Sequence, residues 1–384
     1  MATVIDKPTL WQRLFPWFSG FDTWLLLAVF ILCGIGLVTM YSVGFDHGTR
    51  FTDHARNMLI AGGVVFVVAH VPPQRLMAFA VPLYVVGVTL LVAVALFGIT
   101  KKGATRWLNV GVVIQPSELL KIAMPLMLAW WFQRREGQLR TIDYVVAAGL
   151  LLVPFALILK QPDLGTALLV AASGLFVIFF AGLSWKLILP PVVLGVVGVT
   201  ALVSFSNELC QPDMDWHVLR EYQKQRVCTL MDPTRDALGK GFHTIQGMIA
   251  IGSGGVWGKG FMQGTQTHLE FIPERTTDFI FSAFSEEFGL VGVVALILAY
   301  VFLIGRGLVI AMNAPTLFSR LLAGAIALIF FVYAFVNMGM VGGILPVVGV
   351  PLPFVSYGGT AMVTLGLGLG MLFSIAKAER LMQS

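Results

Sequence analysis

A single carboxylate, Asp278, stands where a polar stretch containing a proline runs into a long apolar segment; Phe271 to Gly289 reads FIPERTTDFIFSAFSEEFG. A carboxylate on such a border is part desolvated and part wet, within reach of a molecule anchored in lipid. Charge at the edge of an apolar segment is costly, so its default reading is functional. The neighbouring Phe279 and Phe281 add to its desolvation. Glu286 and Glu287 follow on the same segment, and for them pairing with a buried cation, or a place facing a wet cavity, outweighs a catalytic or metal role.

Further polar groups gather before other apolar runs. The stretch KKGATRWLNVGVVIQPSELLK collects Lys101, Lys102, Arg106, Trp107 and Gln115 beside Glu118 and Lys121. Glu118 and Lys121 are three apart, share a helix face and can pair. That pair has two readings: an ion pair stabilising the start of a helix, or a cationic patch for phosphate in which Glu118 orients Lys121 beside Arg106. Asp163, in the turn Gln161-Pro162-Asp163-Leu164-Gly165-Thr166, reads as a helix N-cap or as a holder of one of these cations. The stretch VGGILPVVGVPLPFVSYGGT brings irregular backbone to membrane depth, tolerated only against protein or a water-filled cavity, which Ser356 and Tyr357 would line.

These residues need a frame, and composition says which. Hydrophobic residues make up 57% of the 384 and charged residues 12%, with a mean hydropathy of +0.86; a soluble domain is nearer one quarter charged. The chain is therefore expected to be an all-α polytopic membrane protein forming a single membrane domain over residues 1–384. Its net charge of +5 is spread between apolar runs, which suits anionic lipid surfaces and not nucleic acid. Met1 to Gly20 lacks the apolar core of a cleavable signal, so Trp24 to Tyr41 is expected within the first span.

About ten runs are long enough to cross a bilayer: 22–43, 56–71, 76–98, 117–132, 142–159, 164–181, 187–205, 279–304, 317–340 and 360–376. An even count places both termini on one side. One set of short loops holds Lys7, Arg13, Arg75, Arg134, Arg135, Arg140, Lys186, Arg306, Arg320, Lys377 and Arg380, which makes it cytoplasmic. The opposite set includes one large loop, 206–278, between the seventh and eighth runs, so Asp278 faces outward. Within that loop His243 to Gly260 reads as an interfacial or re-entrant helix followed by a glycine turn. Cys210 and Cys228 both fall there; they close a disulfide or remain two free thiols. Cys33 lies in an apolar run and reads as packing, and the scattered His217, His243 and His268 give no zinc spacing.

Four ordered stretches, RWLNVG–QPSELLK, QPDLGT, FIPERTTDFIFSAFSEEFG and PLPFVSYGGT, resemble the SEDS family of bacterial peptidoglycan polymerases across nearly the whole chain. GTQTHLEFIPERTTDFIF and GGILPVVGVPLPFVSYGGT are similar to its elongation-type branch more than to its division-type branch. The resemblance implies a glycosyltransferase that polymerises lipid II on the outer face of the bacterial cytoplasmic membrane, inverting the sugar carbon, with Asp278 as general base. It further implies phosphate binding by Arg106 and Lys121, a sugar or lipid contact for Trp107, and orienting roles for Glu118 and Asp163. The implied partners are a class B penicillin-binding transpeptidase and the elongation complex. A divalent cation (Mg or Mn) shielding the pyrophosphate fits the chemistry, although no ligand set in the sequence demands one. Two rivals stand beside this reading: a lipid II flippase, which would need polar groups along the whole path, and a scaffold, which leaves Asp278 unexplained.

Overall fold

The computed structural model describes residues 20–383 apart from 47, 102–103, 110, 112, 206–207, 209, 212–220, 237–238, 270 and 273. Lys7, Arg13, Lys102 and His217 lie outside the described residues. Each of the ten expected apolar runs coincides with a helix: α1 (Thr23–Val43), α2 (Arg50–Ala69), α3 (Pro73–Phe97), α4 (Pro116–Gln133), α5 (Thr141–Lys160), α6 (Leu164–Phe180), α7 (Trp185–Ser204), then, after the large loop, three long helices. The loop itself carries α8 (Glu221–Met231), a 3-10 turn (Pro233–Asp236), α9 (Lys240–Gly254) and the single turn α10 (Thr265–His268). The last three are α11 (Ile280–Asn313), α12 (Leu317–Val341) and α13 (Gly359–Gln383). Six of these helices, α1, α3, α5, α11, α12 and α13, are long and apolar enough to cross a membrane, and the protein is a multi-pass membrane protein.

The all-α expectation needs one correction. Residues 99–114 form a small antiparallel sheet of β1 (Ile99–Lys101), β2 (Ala104–Asn109) and β3 (Val113–Ile114), in the order β1-β2-β3. Ile99 pairs with Trp107 and Leu108 with Ile114, so β-branched and aromatic residues face one another across the ladder. The sheet carries Arg106 on β2, in the connection between α3 and α4. A Pro at the first position of α3 and of α4 starts both helices where the missing N–H costs nothing.

Packing centres on α4 and α12. From Leu120 to Ala129 every residue of α4 is buried, and α12 packs on α4, α6 and α11. By contrast, α7 has no buried residue among those described, and Trp185, Leu187, Leu194 and Val196 are all exposed, as suits a lipid-facing helix.

The expected continuous eighth span is broken. Gly289 has φ 61° and ψ −164° inside α11, ending one short helix at Phe288 and starting another at Leu290. The groups freed by the break are taken up by the turn after α9: Lys259 N and Gly260 N donate to the carbonyls of Glu286 and Glu287, both at 3.0 Å. Leu290 N and Val291 N donate in return to Gly255 O and Val256 O at 2.9 and 3.1 Å. A bilayer offers no water to do this, so the large loop must. The loop's other end is tied by a disulfide between Cys210 and Cys228.

At the far end of the bundle the expected cytoplasmic cations converge. Asp22 accepts from Arg306 Nε at 2.9 Å and Nη2 at 2.6 Å, from Arg380 Nη2 at 3.1 Å, and caps α1 through Leu25 N at 2.9 Å. Burial alone would raise its carboxyl, but the hydrogen bonds and charges of Arg306 and Arg380, with the Leu25 N–H, outweigh that and hold it below the usual carboxylate value.

Two outcomes follow from this architecture. A Cβ on Gly289 would lie 2.2 Å from Gly258 N in a backbone region that side chains avoid. Gly289→Ala is therefore expected to cost on the order of 1–3 kcal/mol or more, seen as a lowered Tm in detergent; an unchanged Tm would contradict the role of the break. Because the Asp22 carboxyl is depressed by folding, its contribution is present above its unfolded value near 4 and lost as pH falls through the folded value. Tm should hold between about pH 7 and 5 and fall below about 4, with a smaller acid-induced fall in Asp22→Asn.

Candidate active site

The segment carrying Asp278 is gripped from three sides. Asn337 on α12 donates from Nδ2 to Asp278 O at 3.0 Å and to Val350 O at 2.7 Å. Ser356 Oγ donates to Thr277 O at 2.7 Å and accepts from Leu352 N at 2.8 Å, while Tyr357 N donates to Thr276 O at 2.9 Å. The irregular stretch 342–358 thus closes its own turn and the Asp278 turn with one set of bonds. Ser356, expected to contact substrate, is buried with its hydroxyl committed to backbone. The Asp278 side chain is half-buried, and a Cβ placed on Gly349 would meet its Oδ2 at 3.4 Å. Phe279 and Phe281 beside it are buried, and Phe279 stacks on His243 at 5.9 Å.

Two charged groups flank this turn. Arg106 on β2 donates from Nη2 to Pro162 O at 2.5 Å, and its Nη1 lies 3.7 Å from Asp163 Oδ1. Asp163 also accepts from Gln115 Nε2 at 3.0 Å and from Thr166 N at 3.2 Å. Both sequence readings of Asp163, helix cap and cation holder, hold together. Trp107 follows Arg106 on β2, partly buried. In the second group Lys121 Nζ donates to Glu118 Oε1 at 2.7 Å and lies 5.4 Å from the centre of the Tyr333 ring. Glu118 Oε2 accepts from Thr364 at 3.4 Å. Lys121 is 4% exposed, so its charge is held inside the bundle.

These groups share one neighbourhood. Tyr333 and Asn337 are one turn apart on the same face of α12, about 6 Å along its axis, so the Lys121 pair and the Asp278 turn both meet that face. Val348 O lies 2.7 Å from where a Gly165 Cβ would be, and Val350 O takes the Asn337 bond. Residues 348–350 therefore bridge the Asp163 turn and Asp278.

Several partners here were not anticipated. Arg275, 4% exposed, donates from Nε to Val43 O at 3.2 Å and pairs with Asp46, tying the α1–α2 connection to the Asp278 loop. Glu286 is buried and accepts from Lys259 Nζ at 2.7 Å, Gln266 N at 2.9 Å and Thr267 N at 3.2 Å. Glu287 accepts from Ser42 at 2.5 Å and lies 3.6 Å from His268 Nε2. The Lys259 bond gives Glu286 the cation pairing expected for it, and the contacts of the two glutamates staple the large loop to α11. Asn337 carried a readable signal, since it is the lone side-chain amide in a long apolar run. Arg275 had only its place three residues before Asp278, and Lys259 and Asp46 had none. Among the described residues no group of three or more His, Cys, Asp or Glu gathers as a metal site.

The Asn337 amide joins the buried carbonyl of Val350 to the part-buried carbonyl of Asp278, and leucine has a similar volume without the donors. Asn337→Leu should cost about 1–3 kcal/mol for each carbonyl left unpaired, read as a drop in Tm. A Tm equal to wild type would show that the amide does not hold the Asp278 turn.

Comparison with known proteins names the arrangement. The chain is 46% identical over 372 residues to the peptidoglycan glycosyltransferase MrdB of Escherichia coli, covering 96% of each. It superposes with TM-score 0.77 and 32% identity on a chain from a peptidoglycan synthase complex studied for coordination of polymerisation and crosslinking, over 94% of this chain and 99% of that one. The rod shape determining protein RodA of Thermus thermophilus matches with TM-score 0.68 and 29% identity, over 94% and 98%. The family model for cell cycle proteins of the FtsW, RodA and SpoVE type matches residues 23–381, and the chain belongs to that family, the SEDS proteins.

Proposed function

We propose that the protein is an elongation-type peptidoglycan glycosyltransferase that polymerises lipid II, with Asp278 as its general base. The observation that supports the assignment is a half-exposed carboxylate whose backbone is held by Asn337, on the helix that also meets Lys121 through Tyr333 and beside residues 348–350, which reach the Asp163 turn. Such a site can serve acid–base chemistry next to a phosphate-bearing substrate.

The chemistry runs as an inverting displacement. The acceptor 4-hydroxyl oxygen forms a bond to the anomeric carbon of the donor, and the bond from that carbon to pyrophosphate breaks. The pyrophosphate leaves with the electron pair, and the hydroxyl proton passes to the Asp278 carboxylate and then to water. Arg106 meets the growing phosphate charge, Lys121 adds to the positive field from inside the bundle, and Glu118 and Asp163 hold the two cations in place. Trp107, on the same strand as Arg106, offers an apolar face for a sugar or lipid contact. Ser356 acts through the backbone of Thr277. No ligand set for a divalent cation is gathered among the described residues, and no step is assigned to one.

The membrane arrangement we propose is ten spans, both termini in the cytoplasm of the bacterial cell and Asp278 on the outer face of the inner membrane. It is supported by the ten helices at the expected runs and by Arg306, Arg380 and Lys377 lying at the end remote from Asp278, near Gly20 and Asp22. A class B penicillin-binding transpeptidase within the elongation complex is the proposed partner, supported by the likeness to a chain of a synthase complex that joins polymerisation to crosslinking.

Purified protein incubated with lipid II should give glycan ladders on a gel. Asp278→Asn should lower the rate by roughly 10²- to 10⁴-fold while keeping wild-type Tm. Full ladders from the variant would end the assignment of Asp278, and lipid II crossing vesicles without ladders from wild type would identify a flippase instead.

A further inference from the structure

The end of α4 remote from Asp278 carries an arginine-rich cavity. Trp130, Trp131, Arg134, Arg135, Arg140 and Ile142 line an open cavity of about 630 Å³ where α4 ends and α5 begins. Glu118 and Gln133 are ~22 Å apart along α4, so this cavity opens on the membrane face opposite the Glu118–Lys121 pair.

The charges around it do not cancel. Three guanidiniums face the carboxylates of Asp143 and Glu136, and both carboxylates are already engaged. Asp143 pairs with Arg135 at 2.5 Å and accepts from Arg140 N at 2.8 Å, while Glu136 accepts from Gln133 Nε2 at 2.6 Å. Arg134 lies 4.7 Å over the Trp130 ring and Arg135 lies 4.0 Å over Trp131. Among the described residues, neither the Arg134 nor the Arg140 guanidinium meets a carboxylate. The Arg134 guanidinium, seated over the Trp130 ring with no carboxylate partner among the described residues, has donors left for a phosphate.

The surroundings select the kind of phosphate. Starting at the cavity rim, Ile142, Val145, Val146, Leu152 and Val153 form an exposed apolar stripe along one face of α5. An acidic peptide or a free ion has no use for that stripe, whereas acyl chains below a headgroup would lie along it. We infer that this cavity binds the phosphate headgroup of an anionic phospholipid in the leaflet opposite Asp278, with Arg134 and Arg140 as its ligands.

The test is native mass spectrometry of the full-length protein in detergent, titrated with phosphatidylglycerol or with phosphatidylethanolamine. Phosphatidylglycerol should half-saturate at a concentration roughly tenfold lower, and the double variant Arg134→Gln, Arg140→Gln should lose that preference. The double variant Arg134→Lys, Arg140→Lys should keep part of it, and an excess of inorganic phosphate should leave the lipid bound. Equal binding of the two lipids, or wild-type affinity in the glutamine variant, overturns the inference. Displacement by inorganic phosphate would make this a site for a soluble anion, and displacement by a polyglutamate peptide a protein-docking site; either result also overturns it. Tm of each variant verifies folding, and Arg140→Gln alone, at an exposed position before α5, provides the same readout should the double variant unfold.

Discussion

Backbone N–H and C=O groups at membrane depth must be paired inside the protein, because lipid offers them nothing. Among the described residues the break at Gly289 and the run 342–358 interrupt or join the long apolar helices, and both are satisfied by other elements. The turn after α9 pairs the groups freed at Gly289. Asn337 and Ser356 pair the run 342–358 with the residues just before α11. Asp278 sits between these two repairs, so its position is over-determined by bonds that the bilayer makes obligatory.

The same constraint explains why so few charges serve the site. Lys121 and Glu286 are nearly or fully buried, and each has a partner of opposite charge within 2.7 Å. Leaving either alone would cost several kcal/mol, so carboxylates and cations arrive in pairs and one member of each pair orients the other. Arg106 differs because it stands on a strand, one quarter exposed, so its charge is not enclosed by the bundle. The remote end repeats the pairing in Asp22 with Arg306 and Arg380, and departs from it where, among the described residues, Arg134 and Arg140 lack carboxylates.

Much of the architecture was legible in the residues. The ten apolar runs appear as helices because length and hydropathy are local properties, and the start of α4 is marked by Pro116 and Glu118. Boundaries moved where polar residues continue a helix, as at Arg50 to Arg56 in α2. The sheet at 99–114 went unread because its strands are two to six residues long and pair only through a turn. The break at Gly289 was invisible for a different reason: a glycine in an apolar run is usually tolerated in a helix, and here the positive φ and the approach of the Val256–Gly258 backbone require one.

By itself the sequence determined the class, the apolar segments and the identity of the chemical groups, because hydrophobicity, charge and residue order are carried by the chain without folding. It singled out Asp278, Arg106, Glu118, Lys121 and Asp163 through their types and their places beside apolar runs. Only the tertiary structure decided which of them meet, that Ser356 holds backbone, and that Arg275, Lys259 and Asn337 build the frame. Those pairings join residues far apart in the chain, and they are chosen by which buried polar groups would otherwise be left without a partner.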